Sequence, residues 1–340
     1  MNISIEKRGR RAARNAGWAI LTLAVSVLTA CRPAAVTPVP PTPTIYRPLP
    51  TFFKTQPTPV PKRQTHSEAS TLLLLGTDRR GLNDSSDNTD ALMLVHLDPS
   101  AGRIAVLSIP RDLWVEIPGH GDARVNTAYA LGEQDGTGGL ILARETISAT
   151  LGIPVHHAAL LDFHAFVTLV DAIGGVDVDV PYAISDPTYP DDDAGYDPFY
   201  LPAGEQNIDG ATALRYARTR ATPGSDFDRA ARQQQLMLAV RDRVTQLDLL
   251  PDLIKQSPQL WTTLQTTIET DLTLGEVVDL AVGANRIPAD GIVTATIDQN
   301  CTRDWTTPGG AQVLLPDQAA IEALVNGLFP PPPAKAAIEK

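Results

Sequence analysis

Short, continuous apolar runs alternate along the chain with stretches of helical period. "STLLLLG" (70–76), "ALMLVHLD" (91–98) and "RIAVLSIP" (103–110) are apolar runs bounded by turn formers, the pattern of buried strands. "GGLILARETISATLGI" (138–153) sets Leu140, Ile141, Ala143, Ile147 and Leu151 at helical spacing. "HHAALLDF" (156–163) predicts a strand, "HAFVTLVDAIGG" (164–175) a helix stopped by glycines, and "VDVDV" (176–180) another strand. "DGATALRYART" (209–219) reads as a helix opening on an Asp cap. "DFDRAARQQQLMLAVRDRVTQL" (226–247) is a longer helix, with Ser225 or Asp226 as its cap. Helices near 251–266, 273–285 and 317–328 accompany a strand at "IVTATID" (292–298). Strands interleaved with helices predict an α/β fold, a sheet covered on its faces by helices.

The two ends break this pattern. "MNISIEKRGRRAAR" is basic and is followed by the uncharged "NAGWAILTLAVSVLTA", the layout of an export signal. The apolar run from Ala16 to Ala30 has 15 residues, short of the ~20 that a spanning helix needs. "LTAC" (28–31) resembles a bacterial lipobox, which implies cleavage before Cys31 and a lipid on its thiol. An uncleaved signal anchor is the alternative, and both place the domain outside the cytoplasmic membrane, tethered to it. Residues 1–31 are thus expected to be signal peptide, 32–67 a proline-rich tether, 68–330 the folded domain and 331–340 a tail. Prolines in the tether prevent helix and sheet pairing and favour an extended chain of ~3.1 Å per residue.

Composition then narrows the chemistry. The 340 residues carry a formal net charge of -11, which argues against a nucleic-acid partner, since that needs a basic surface. Two cysteines, Cys31 and Cys301, are too few for a disulfide framework or a thiolate metal site. Any anion site must be local. "LRYARTRATPGSDFDRAARQQQ" (214–235) supplies one, with Arg215, Arg218, Arg220, Arg229 and Arg232. Arg218 and Arg220 follow the short helix, in a loop. Arg229, Arg232, Gln233, Leu236 and Val240 share one face of the next helix, and its apolar end should be buried. Inward arginines are costly unless anions match them, and a helix N-terminus itself favours anions. The stretch therefore predicts a pocket for a multiply charged phosphate; pairing with the chain's own carboxylates is the simpler alternative.

Asp78 stands directly after one apolar run and Asp90 directly before the next. Neighbouring strands would bring both carboxylates to one sheet end, where they suit Mg²⁺, which binds through one or two carboxylates and keeps positions for phosphate oxygens. The intervening "NDSSDNTD" is equally an ordinary polar turn. Arg111 and Asp112 lie just past the third run, at a strand end where such sheets bind ligands, although a surface ion pair is the commoner fate of an Arg-Asp pair. "SDPTYPDDDAGYDPFY" (185–200) reads as a solvated acidic loop at the rim, and His156 and His157 as structural.

These motifs, with "NTDALMLVHLDP", "VLSIPRD", "LPAGEQNIDGATALRYARTR" and "SDFDRAARQQQ", resemble the successive motifs of the LytR-CpsA-Psr family, in order over about residues 70–247. The resemblance implies a three-layer α-β-α sandwich with a central mixed sheet. It implies a Mg²⁺-dependent phosphotransferase, with Mn²⁺ as a substitute. Such an enzyme moves a glycopolymer such as wall teichoic acid or capsular polysaccharide from a polyprenyl-pyrophosphate carrier to peptidoglycan, on the outer face of the membrane. Position by position, Asp78 and Asp90 resemble the family's metal ligands, and Arg218 and Arg220 its paired pyrophosphate-binding arginines. Asp226, Arg229 and Gln233 match its final motif, Arg111 the arginine after its third strand, and Arg80 the common Arg two residues past the first Asp. Asn88 departs from the pattern, since members often carry Arg there. The implied catalytic set is Arg111, Asp226, Arg229 and Gln233, and the implied substrate-binding set is Arg80, Arg111, Arg218, Arg220, Arg229 and Gln233. An apolar groove for the isoprenoid is implied beside the arginines. A hydrolase using water at the same site and a non-catalytic envelope-binding or regulatory protein are the rival readings.

Overall fold

Leu73 and Leu75 of the first run are buried on one face and Leu72 and Leu74 are half-buried on the other, so both faces are covered and the run is continuous instead of alternating. The structure, a computed structural model, describes residues 69–78, 88–190, 195–246, 255, 261–262 and 268–329. The export signal, Cys31, the tether, Arg80, the tail and most of the helix expected at 251–266 lie outside the described residues.

In chain order the elements are β1 (Ser70–Thr77), β2 (Ala91–Asp98), β3 (Arg103–Ile109), β4 (Trp114–Ile117), β5 (Gly121–Arg124), α1 (Ala128–Asp135), α2 (Gly139–Leu151), β6 (His157–Asp162) and α3 (Phe163–Ala172). Then come β7 (Val176–Val180), β8 (Ile184–Asp186), β9 (Phe199–Leu201), β10 (Gly204–Ile208), α4 (Gly210–Arg218) and α5 (Ser225–Gln246). The last are β11 (Ile268–Thr270), α6 (Leu274–Asn285), β12 (Ile292–Thr296), β13 (Thr302–Thr306), β14 (Gln312–Pro316) and α7 (Gln318–Leu328).

The central sheet has the order β11-β6-β1-β2-β3-β12. β1 runs parallel to β6 and β3 to β12, and the other neighbours are antiparallel. On one face, Leu73, Leu75, Leu92, Leu94 and Leu107 pack against Tyr129, Leu142, Ile147, Ile321 and Val325 of α1, α2 and α7. On the other, Met93, Leu97 and Val106 meet Met237 of α5 and Leu280 of α6. The result is the expected three-layer sandwich with a mixed sheet.

The register sets where the chemistry sits. Gly76 pairs with Ala91 and Leu92 with Ile109, so the end of β1, the start of β2 and the end of β3 lie together. Parallel pairing adds the ends of β6 and β12. The C-terminal ends of four strands thus face one side, the position where open α/β sheets bind ligands. Beside it, α3, α4 and α5 share a second core with β7 and the β8–β9 hairpin. Gly210 lets α4 lie against α3: a Cβ there would come within 2.4 Å of the Val167 carbonyl oxygen.

Two local expectations change. The 185–200 segment is not simply a solvated loop, because Asp186, Tyr189 and Phe199 are buried and the β8–β9 hairpin holds them. Helix α5 begins at Ser225, so Ser225 and Asp226 lie in its first turn, not ahead of it. Asp228 instead accepts from the Gly224 N–H at 2.9 Å.

Candidate functional site

Arg111 anchors the strand-end cluster. Pro110 breaks β3, and the Arg111 carbonyl then accepts from the Asn126 N–H, which fixes the turn. Its Nη1 donates to Asp90 Oδ1 at 2.5 Å, and its Nε lies 3.5 Å from Asp112. Asp112 also holds Arg124 at 3.1 Å. The Arg111–Asp112 ion pair of the simpler alternative therefore exists, but Arg111 also reaches the carboxylate just ahead of β2. Asp78 stands exposed one residue past β1, and Asp90 stands one residue before β2, its N–H donating to the Gly76 carbonyl. Both aspartates thus come to one sheet end. Their hard oxygens fit a divalent cation, which needs only one or two carboxylates beside water and phosphate. Among the described residues, no group of three His, Cys, Asp or Glu gathers as an all-protein cage.

The arginines form the facing wall. Arg218 ends α4, where the free carbonyls of a helix favour a cation. Its guanidinium lies 4.2 Å from the centroid of the Phe163 ring and 5.8 Å from that of Tyr189. Burial pushes the Tyr189 hydroxyl pKa up, against the opposing effect of Arg218 and Arg215. Arg220 follows in the exposed loop. Arg229 is buried on the first turns of α5, and Gln233 one turn on donates to the Ala217 carbonyl at 3.4 Å. The Asp226 side chain lies outside the described residues.

Arg232 and Arg215 go elsewhere. Arg232 is buried and donates to the carbonyls of Tyr216 and Thr219 and to Thr222 Oγ1, so it stitches α5 to the α4–α5 loop. Burial pulls its guanidinium pKa down, which Tyr216, Tyr182 and Asp228 oppose. Arg215 pairs with Asp197. The simpler alternative holds for Arg215. Asp186 joins the framework from the hairpin: buried, it accepts from Thr219 Oγ1 at 2.6 Å and so fixes the loop that carries Arg218 and Arg220. Sequence reasoning missed Asp186 and Tyr189, because a Pro- and Asp-rich stretch offers no periodicity to follow.

Asp90, Arg111, Arg218, Arg220, Arg229 and Gln233 ring the mouth of a cavity of about 820 Å³. Behind the mouth the lining turns apolar. Leu74 and Met93 come from the sheet, Phe163, Phe166 and Leu169 from α3, Leu214 from α4, and Leu236, Met237 and Val240 from α5. A second cleft of about 290 Å³ opens on the β12 and β13–β14 side and shares Asp90, Arg111, Arg229 and Gln233 with the first. The site therefore defines a class: an α/β domain whose strand-end cavity joins a guanidinium-rich wall to an apolar lining.

Comparison with known proteins gives that class a family. The chain matches the LytR_cpsA_psr family over residues 52–329, and it belongs to that family. It is 31% identical to the "Probable cell wall biosynthesis protein LcpB" of Corynebacterium glutamicum, over 79% of this chain and 63% of that protein. It is 30% identical to the Bacillus subtilis "Polyisoprenyl-teichoic acid--peptidoglycan teichoic acid transferase TagV", over 58% of this chain and 49% of that protein. The chain thus spans less than two thirds of the length of these curated relatives. The crystal structure of B. subtilis TagV superimposes with a TM-score of 0.63 at 26% identity, over 77% of this chain and 96% of that one. A structure described as "TagT bound to LIIa-WTA" gives 0.62 at 26% identity, over 77% and 90%. Among the described residues, no helix is long and apolar enough to cross a membrane.

Proposed function

We propose that the chain transfers a glycopolymer from a polyprenyl-pyrophosphate carrier to a sugar hydroxyl of peptidoglycan. The observation that carries this reading is the ring of Arg111, Arg218, Arg220 and Arg229 at the mouth of an apolar cavity of about 820 Å³. Guanidinium forks suit phosphate oxygens, and a long apolar chamber suits an isoprenoid. The relatives' printed activity, polyisoprenyl-teichoic acid–peptidoglycan teichoic acid transfer, supports it.

The acceptor hydroxyl attacks the phosphorus that bears the glycan. A new O–P bond forms, the bridging P–O bond breaks, and polyprenyl phosphate leaves with the electron pair. The hydroxyl proton passes to a carboxylate of the mouth or to water. Phosphoryl transfer asks the protein mainly for positioning and for neutralising charge on the phosphate oxygens. Arg218 and Arg220 grip the diphosphate from the α4–α5 loop, and Arg111 and Arg229 face it from the sheet and from α5. Gln233 adds an amide donor. Asp78 and Asp90 would hold Mg²⁺, which when bound adds positive charge at those oxygens. The domain acts on the outer face of the cytoplasmic membrane, with Cys31 as its lipid anchor. In a strain lacking the gene, Asp78→Ala and Asp90→Ala variants should fail to restore wall polymer at normal protein levels. Full restoration by both would end the catalytic reading.

A further inference from the structure

The two cavities share a common wall of Asp90, Ala91, Arg111, Arg229 and Gln233. The large apolar cavity lies on one side of it and the 290 Å³ cleft on the other. The two sides differ in chemistry. The large cavity adds Arg218, Arg220 and apolar side chains. Beside apolar residues such as Phe227 and Leu314, the small cleft adds the polar Ser108, Asp112, Thr296, Asp304 and Gln312, whose hydroxyl, carboxylate and amide groups bring no further cation. A polyanion is poorly served by such a lining. A neutral polyhydroxyl ligand is well served, because carboxylates accept from hydroxyls and amides both donate and accept.

The cleft wall is built to stay in register with Arg111. Asp304 pairs with Leu314 and Thr306 with Gln312 across the β13–β14 hairpin, so Asp304, Gln312 and Leu314 share one face of it. The Leu314 N–H donates to the Asp112 carbonyl at 2.9 Å, and Arg124 donates to the Gln312 carbonyl at 2.8 Å while holding Asp112. The hairpin is thereby tied to the residue next to Arg111. An in-line displacement needs the attacking and leaving oxygens on opposite sides of the phosphorus. Two cavities on either side of one arginine-bearing wall meet that need.

We infer that the cleft between β12, the β13–β14 hairpin and the start of α5 is the acceptor subsite, taking the uncharged hexosamine chain of peptidoglycan, with Asp304 and Gln312 binding its hydroxyl and amide groups. This rests on the transferase reading and adds to it where the acceptor lies. Both residues are exposed on a hairpin, so their truncation leaves the core intact.

The experiment uses the full chain in detergent and two probes: a soluble, uncrosslinked peptidoglycan glycan, and polyprenyl pyrophosphate. Binding of each is measured by calorimetry for the wild type, for Asp304→Ala/Gln312→Ala, and for Gln312→Trp, which fills the cleft. The expected result is glycan affinity weakened about tenfold or more in both variants, with polyprenyl-pyrophosphate affinity unchanged. Glycan binding absent in the wild type, or undiminished in both variants, would overturn the subsite. If the glycan binds through the cleft but is never joined to donor phosphate, the subsite stands and the transferase reading fails instead.

Discussion

Arg232, buried on α5, donates through its Nε to the backbone carbonyl of Tyr216 at 2.8 Å, sixteen residues earlier in the chain. Two more of its nitrogens hold Thr219 and Thr222. One side chain thus fixes the short connection that carries Arg218 and Arg220 against the helix that carries Arg229. Arg232→Leu removes a donor from buried carbonyls and should cost roughly 2 kcal/mol or more of stability. Arg232→Lys keeps the charge but not the fork, and should loosen diphosphate binding while the fold survives. Denaturant unfolding together with pyrophosphate titration separates the two effects.

Arg218 and Arg229 should act on the reaction more than on the fold. Arg218→Ala and Arg229→Ala are each expected to lower kcat/KM by about 10²–10³-fold, the usual scale for losing a preorganised donor at a developing charge. Arg218→Lys should recover little, since an ammonium lacks the planar fork of the guanidinium that lies 4.2 Å from the Phe163 ring centroid. Steady-state kinetics with a polyprenyl-pyrophosphate-linked donor checks this, and unchanged kcat/KM in both alanine variants would remove the arginine wall from the mechanism.

The tail chamber can be narrowed without touching the mouth. Met237 lines the cavity from α5, well behind the arginines. Met237→Trp should raise KM about tenfold for long-chain carriers, roughly 1.4 kcal/mol of lost binding. Donors with a short tail, and inorganic pyrophosphate, should bind as before. Equal weakening for all of them would mean that the tail does not occupy this chamber.

At the opposite sheet end, burial holds the pKa values of His96 and His156 below 6.5. His156 Nδ1 accepts from the Thr71 N–H at 2.9 Å, which requires that nitrogen to be unprotonated. His157 and Arg144 press His156 the same way, and around His96 Asp98 opposes while His156 and Arg103 assist. The unfolded chain takes up these protons first, near pH ~6.5. Stability from both histidines is therefore present above that pH and lost as pH falls through it. Tm measured from pH 7.5 to 5 should fall on the acid side, and His156→Gln should flatten the slope.

Much of this arrangement was legible in the chain, and what was not has physical causes. Continuous apolar runs located β1, β2 and β3, and the positions of Asp78, Asp90 and Arg111 at their ends followed from those boundaries. The β4–β5, β8–β9 and β13–β14 hairpins were not foreseen, because short strands that mix exposed and buried positions carry little periodic signal. The arginine stretch was visible as a cluster, but the destination of each guanidinium was not. Arg218 and Arg229 face the cavity, Arg232 turns to backbone carbonyls and Arg215 to Asp197, and partners distant in sequence make that choice. The start of α5 at Ser225 differs from the expected cap there, and the reach of Asp228 back to the Gly224 N–H carries no periodic signal in the sequence.

The most direct test follows the donor phosphorus. The full chain is incubated with Mg²⁺, peptidoglycan and a polyprenyl-pyrophosphate-linked glycan whose phosphorus next to the sugar is labelled, and the products are separated by mass spectrometry. The account predicts label in a phosphodiester between glycan and peptidoglycan, with unlabelled polyprenyl phosphate released. Label found only in free glycan phosphate, with peptidoglycan present, would mean that water is the acceptor and would contradict the transferase.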